Sequence, residues 1–310
     1  MSRTAIIGAE GFIGSFLLET FGESDADTLG TTHKSSSGKL VPLDLRAPDI
    51  SALDLKRRGI ESAIVAAGIT SVVKCEEDPD GTSAINVIGT IELLRKLNEL
   101  GLHVVFLSSD YVFSGYTPPF QDESLPAPET QYGKQKRRVE QAVENLNVCI
   151  VRLSRVYSTN LGQRHFLADL FDRISRGGSH VMAEDQRFRP TPIDEIARAL
   201  TAIQASRIIG AINVCSRETW SRYEIGVAIS KLIENAGSIS KARLRELVPN
   251  LLLPMDTSME CKRLNEVLGM TLRCLSEDLP KIVRSARAGS NPAQSNHSFR
   301  RPSSSQRGGR

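Results

Sequence analysis

Apolar residues along this chain follow two rhythms. Largely apolar runs at Thr4 to Ile7, Thr28 to Thr32, Leu40 to Leu45, Ile60 to Ala67, Val104 to Leu107, Val148 to Leu153 and Gly210 to Val214 read as buried strands. Helical spacing follows several of them, from Phe16-Leu17-Leu18 to Phe21 and again over Ser83 to Leu100, where Ile85, Ile88, Leu93 and Leu97 share a pattern. Strands alternating with helices predict an α/β fold, a Rossmann-type doubly wound parallel sheet. The helices expected over Phe166 to Arg176, Trp220 to Asn235 and Met259 to Leu268 alternate less regularly with strands, as suits a smaller C-terminal substrate lobe. The expected division gives 1–157 to the sheet domain, completed by about 187–215, and gives 158–186 and 216–288 to the lobe. From Gly289 onward Ser, Asn, Gln, Gly and Arg leave almost nothing apolar, so 289–310 is expected to be a disordered tail.

Composition adds exclusions. The formal charge is +3, but Arg284, Arg287, Arg300, Arg301, Arg307 and Arg310 lie in a stretch with no acid or lysine, and without these six the body carries −3. No nucleic-acid partner is expected of such a body. Cys75, Cys149, Cys215, Cys261 and Cys274 are odd in number, widely spread and without Cys-x-x-Cys spacing, which argues against a disulfide framework or a metal site and for reduced thiols in a cytoplasm. Met1-Ser2-Arg3 passes straight into a strand and no apolar run approaches membrane-spanning length, so a soluble chain with no membrane partner is expected.

The first strand ends in Gly8-Ala9-Glu10-Gly11-Phe12-Ile13-Gly14, a Gly-x-x-Gly-x-x-Gly turn opening a helix. Gly8 permits the tight turn, Gly11 lets backbone approach a pyrophosphate, and Gly14 lets the helix pack on the strand with its amides facing the phosphates. The second strand ends at His33-Lys34-Ser35, where an acid would hold the adenosine ribose of NAD. Lys34, with His33 and Ser35 to Ser37, suits a 2′-phosphate, so NADP(H) is the expected cofactor and NAD(H) stays open; an earlier strand end would bring Asp27 into play. Asp44 and Leu45 close the third strand, and Ala66-Ala67-Gly68 at the fourth gives small residues for a cofactor to lie against. Asn86 is either a structural polar group or part of a proton relay.

The candidate chemistry is Ser108-Ser109-Asp110-Tyr111-Val112-Phe113, delivered by the fifth strand, and Tyr132-Gly133-Lys134-Gln135-Lys136. One helical turn apart, Tyr132 and Lys136 would set a phenol beside an ammonium. A cation ~4 Å from a phenolate, at an effective dielectric near 20, would favour ionisation by about 4 kcal/mol, bringing the phenol towards neutrality as a general acid. Between them the loop with Pro118, Pro119, Pro126 and Pro128 is long enough to be functional and is expected to cover the substrate.

Together with Arg189-Pro190-Thr191, Asp194-Glu195-Ile196-Ala197 and Trp220-Ser221-Arg222-Tyr223-Glu224, these motifs resemble the extended short-chain dehydrogenase/reductases, and within them the dTDP-4-dehydrorhamnose reductase branch, over about residues 3 to 285. The resemblance implies NAD(P)H-dependent reduction of a nucleotide-linked 4-keto-deoxysugar, serving surface polysaccharide or natural-product glycosylation. It implies Tyr132 as proton donor, Lys136 holding the nicotinamide ribose, Ser109 on the carbonyl and Asp44 on adenine. Thr70, Ser108, Asp110, Arg155 and Arg189 are the substrate candidates. The branch commonly has Arg-Thr-Ser-Trp-Val-Tyr where this chain has Arg152-Leu153-Ser154-Arg155-Val156-Tyr157, so Arg155 either meets a more polar or anionic sugar or forms a surface ion pair. Two alternatives stay open: a sugar-nucleotide epimerase or dehydratase, and a non-catalytic NADP-binding module resembling the regulatory subunit of methionine adenosyltransferase. A homodimer is compatible with either, and no metal is called for.

Overall fold

A computed structural model of the chain describes residues 3–25, 27–34, 40–234 and 236–289; the expected tail beyond 289 and the serines Ser35 to Ser37 lie outside the described residues. The strands β1 (Thr4–Ile7), β2 (Leu29–Thr32), β3 (Val41–Pro42), β4 (Ser62–Val65), β5 (His103–Ser109), β6 (Val148–Leu153) and β7 (Gly210–Val214) form one sheet. Its order is β7-β6-β5-β4-β1-β2-β3, and every neighbouring pair is parallel. The order runs outward in both directions from β1, so the chain reverses beside β1 and opens a crevice at the strands' carboxyl ends.

Both faces of this sheet are covered, which is why its strands read as continuous apolar runs. On one face Ile6, Ile64, Val105 and Val151 pack with α1 (Phe12–Ser24) and, further along the chain, α5 (Ile193–Ala205). Their sequence neighbours Ala5, Ile7, Ala63, Val65, Val104 and Phe106 point the other way, onto α2 (Thr90–Glu99) and α3 (Gln131–Val143). Leu93, Leu94 and Leu97 of α2 are each 0% exposed, and full burial of such side chains contributes about 1.5–3 kcal/mol apiece.

A further apolar cluster gathers α4 (Phe166–Ser175), α6 (Arg222–Ser230) and α8 (Leu275–Gly289), with Tyr157, Leu170, Phe188, Ile225 and Leu279 in it. Tyr157 is tied there through its hydroxyl to Asp278 at 3.0 Å. Before α8, α7 (Lys262–Leu268) lies against the first cluster through Leu264.

Local differences from the sequence reading have physical causes. The third strand shrinks to two residues, of which Pro42 has no N–H to give a ladder. The helix expected over Ser83 to Leu100 is interrupted by a π-helical turn at Ala84–Gly89, where Asn86 reaches out to the Ile69 backbone. The proline-rich loop expected over the substrate contributes no residue to the walls of the two cavities at the sheet's carboxyl edge. Phe120 exchanges backbone hydrogen bonds with Ser258 and Glu260, its ring stacks on Phe113 at 4.4 Å, and Asp122 accepts from the backbone of Asn213 and Arg263. Those bonds fasten the loop to the C-terminal segment beside the carboxyl ends of β6 and β7.

Candidate active site

Two adjoining cavities of about 440 and 420 Å³ open at the carboxyl ends of β1, β2, β4 and β5, sharing Gly11, Ala66, Ala67 and Gly68 in their walls. In the first, Gly8 has φ +92°, a left-handed backbone that glycine adopts at no steric cost. A Cβ on Gly14 would stand 2.1 Å from the Gly8 carbonyl oxygen, so the helix can approach the turn this closely only without one. At Gly11 a Cβ would meet nothing nearer than 3.5 Å and would project into the cavity, leaving its bare backbone as a cradle of the kind a pyrophosphate needs.

The part of this cavity beside β2 and β3 is lined by Thr31, Thr32, His33, Lys34, Asp44, Leu45 and Arg46. Glu10 lies between two of these side chains, 3.2 Å from His33 Nδ1 and 3.5 Å from Lys34 Nζ. A hydrogen bond from Thr32 holds the Glu10 carboxyl below its usual range, with Lys34 and His33 acting in the same direction. Arg46, absent from the residues expected here, adds a second cation beside Lys34; its guanidinium is 3.8 Å from Asp44. Asp27 precedes β2 and pairs with Arg3 at 2.9 Å, away from this wall.

The second cavity brings Phe12, Ile13 and Gly14 of the glycine turn together with Thr70, Ser109, Tyr132, Lys136 and Arg155. Thr130 caps α3 by accepting from the Gly133 N–H at 3.0 Å. A Cβ on Gly133 would fall 2.1 Å from the Tyr111 carbonyl oxygen, so glycine there lets the helix sit hard against the turn that follows β5. That contact sets Tyr132 beside Ser109, whose hydrogen bond with the phenol favours its ionisation.

Tyr132 and Lys136 face the same cleft, each 8% exposed. The expected acidity of the phenol is corrected in the protein without ligand. Burial pushes the Tyr132 pKa up, the Ser109 hydrogen bond opposes this, and the nearby Asp110 charge adds to the rise. Lys136 Nζ donates to the Leu107 carbonyl at 2.8 Å and stands 5.9 Å from the centre of the Tyr132 ring. Burial brings the lysine down to about 8, with the Glu140 carboxylate resisting.

The other substrate candidates divide. Ser108 points to the opposite face from Ser109, and its hydroxyl donates to Glu140 at 2.6 Å. Asp110 is 2% exposed and accepts from Ser109, Ser154 and Thr257 at 3.0, 3.0 and 2.7 Å, so it braces the cleft wall. Burial raises its pKa while these hydroxyls and Arg155 resist. Arg189 is also turned to bracing, with its guanidinium on the Met259 carbonyl at 2.5 Å and on Thr219 at 3.2 Å. Arg155 makes no surface ion pair: its guanidinium lies over the Phe188 ring and donates to the Tyr111 hydroxyl at 3.3 Å. Asn86 has its amide used by the Ile69 backbone and Gln135. His165 was not foreseen; it reaches in from the start of α4 and stacks on Phe12 at 5.3 Å.

Among the described residues no group of three or more His, Cys, Asp or Glu side chains could hold a metal ion, and no helix is long and apolar enough to cross a membrane.

The chain is 25% identical to the mouse methionine adenosyltransferase 2 subunit beta, over 87% of its own length and 84% of that protein's. It is 25% identical to a probable low-salt glycan biosynthesis reductase, Agl14, of Haloferax volcanii, covering 89% and 96% of the two chains. Among solved structures it superposes on dTDP-4-dehydrorhamnose reductase from Bacillus anthracis in complex with NADP with a TM-score of 0.80, at 22% identity, over 92% of this chain and all of that one. The RmlD substrate binding domain family model matches residues 2–288, nearly the whole of the described chain, and the protein belongs to that family.

Proposed function

We propose that this protein is an NADPH-dependent oxidoreductase that reduces the 4-ketone of a nucleotide-linked sugar. The observation that carries this reading is the convergence in one cleft of a bare glycine turn with Ser109, Tyr132 and Lys136. When bound, the nicotinamide supplies the hydride. Gly8, Gly11, Gly14 and Ala66 to Gly68 would hold the dinucleotide by backbone approach, and Asp44 and Leu45 would flank its adenine. Tyr132 places a hydroxyl donor where the carbonyl oxygen gains charge, which is worth most in a buried site, and Ser109 would join it by turning its proton from Asp110 to that oxygen. Because burial keeps the Tyr132 phenol protonated, the resting residue is ready to donate. Lys136 supplies the positive charge that stabilises the phenolate left behind.

The test is NADPH oxidation by the purified chain with a panel of dTDP- and UDP-linked 4-keto-sugars. Turnover with at least one is expected. Tight NADPH binding without turnover on any would favour the non-catalytic module, a reading supported by the likeness to the methionine adenosyltransferase subunit.

Preference for NADPH over NADH rests on Lys34, His33 and Arg46 at the adenosine end. A charge-assisted bond to a 2′-phosphate is worth about 1.5–3 kcal/mol, reduced here because Glu10 already engages Lys34. Lys34→Ala is expected to raise the KM for NADPH by about tenfold and that for NADH by less than about twofold. Steady-state kinetics with both cofactors checks this, and equal changes would remove Lys34 from the specificity site.

A further inference from the structure

We propose that Arg155 forms a receptor for a carboxylate carried by the sugar itself, at the end of the cleft where the carbonyl is reduced. This rests on the reading of the cleft as a nucleotide-sugar reductase and narrows it to anionic sugars.

Arg155 lines the same cavity as Ser109, Tyr132 and Lys136. Its orientation is fixed from two sides, by the Phe188 ring 5.1 Å from the guanidinium carbon and by the Tyr111 hydroxyl. The Tyr111 ring in turn meets the Tyr132 ring edge-on at 6.1 Å, so a single aromatic ring separates this cation from the proposed proton donor. Arg222 opens α6. Burial and the positive charge of Arg155 lower its pKa to about 10, Arg173 adds to the repulsion, and Tyr111 opposes it.

Among the described residues, Arg155, Arg222 and Arg173 take part in no ion pair. Asp110 feels the charge of Arg155, but its two oxygens are taken by three hydroxyls. Partly buried like charges without a counter-ion cost stability, and folded proteins pair such groups unless a ligand brings the opposite charge. The Arg155 guanidinium presents a planar set of N–H donors suited to the two oxygens of a carboxylate. Because the Tyr111 hydroxyl accepts from Arg155, its own proton remains available as one more donor.

The site's location separates a sugar carboxylate from the diphosphate of the same substrate. With C4 of a hexose at Tyr132, a carboxylate on C5 lies on the adjacent ring carbon, whereas the diphosphate on C1 lies across the ring. Arg155 lies beside Tyr111, whose ring meets that of Tyr132, at the reacting end.

The experiment measures dissociation constants by calorimetry on the full chain saturated with NADP+, using glucuronate and glucose as their UDP and dTDP conjugates. The wild-type protein is expected to bind the glucuronate conjugate about tenfold or more tightly than its glucose counterpart, as one charge-assisted contact implies. In Arg155→Met that ratio is expected to fall towards one. Melting of this variant guards against misfolding: removal of one like charge is expected to leave the melting temperature at or above that of the wild type. Equal wild-type affinity for the two sugars would overturn the receptor while leaving the reductase standing. Parallel weakening of both sugars in the variant, with the ratio kept, would assign the arginine to the diphosphate and overturn it too. Failure of every conjugate to bind would sink the nucleotide-sugar reading together with this one.

Discussion

Tyr132→Phe is expected to lower kcat by about 10²–10⁴, the range over which a positioned general acid contributes. The substitution removes one oxygen from a residue that is 8% exposed and leaves the ring packed against Cys75 and Tyr111, so the cleft should keep its shape. NADPH affinity, read from fluorescence titration, should fall by no more than about tenfold, the scale of one hydrogen bond. The pH profile provides a second readout. Lys136 titrates near 8 in the ligand-free protein, and kcat/KM reports groups of the free enzyme. Below that pH the ammonium stabilises a Tyr132 phenolate; above it the charge is lost, so kcat/KM is expected to decline on the alkaline side of about pH 8. Unaltered kcat in Tyr132→Phe would remove the phenol from the chemistry.

The parts of the site that could be read from sequence are those built by neighbours in the chain. Gly8, Gly11 and Gly14 sit within one turn, and their spacing already contains the geometry of a strand passing into a helix. Likewise Tyr132 and Lys136 share a face because helical periodicity requires it. Helical spacing does not fix how a dry environment treats a phenol, and burial outweighs the Ser109 hydrogen bond that favours its ionisation. Strand alternation did hold the clue that Ser108 and Ser109 could not both face the cleft. Residues converging from remote segments were the least legible: His165 on Phe12, Thr257 on Asp110 and Arg222 near Arg155 are brought together only by the packing of the C-terminal segments. Arg46 is nearer in sequence, but nothing in its local pattern distinguishes a cofactor-facing cation from an exposed one.

Beneath the catalytic helix the largest expected loss of stability comes from Arg152→Met. Glu140 lies one turn beyond Lys136 on α3 and is 1% exposed, and Arg152 on β6 is 3% exposed. Arg152 grips both carboxylate oxygens, at 3.2 and 2.9 Å, while Ser108 donates to one of them at 2.6 Å. Its remaining terminal nitrogen donates to the Asp122 carbonyl at 3.0 Å, which ties the proline-rich loop to the same pair. Taking away the arginine leaves a buried carboxylate with only Ser108 and, at 3.6 Å, Arg137 to answer it. Breaking such a pair on one side costs about 3–5 kcal/mol, because the charge left behind is uncompensated. Urea unfolding should therefore shift to a markedly lower midpoint in Arg152→Met, and Glu140→Gln added to it should recover part of the loss, since the orphaned charge is then gone. A double variant whose loss equals the sum of the two single variants would mean that the pair is not coupled. The network also reaches the chemistry: Glu140 is the carboxylate that holds the Lys136 pKa up against burial, so Glu140→Gln is expected to move the alkaline decline of kcat/KM to lower pH. Serine and arginine at these positions thus act on the proton donor through the lysine.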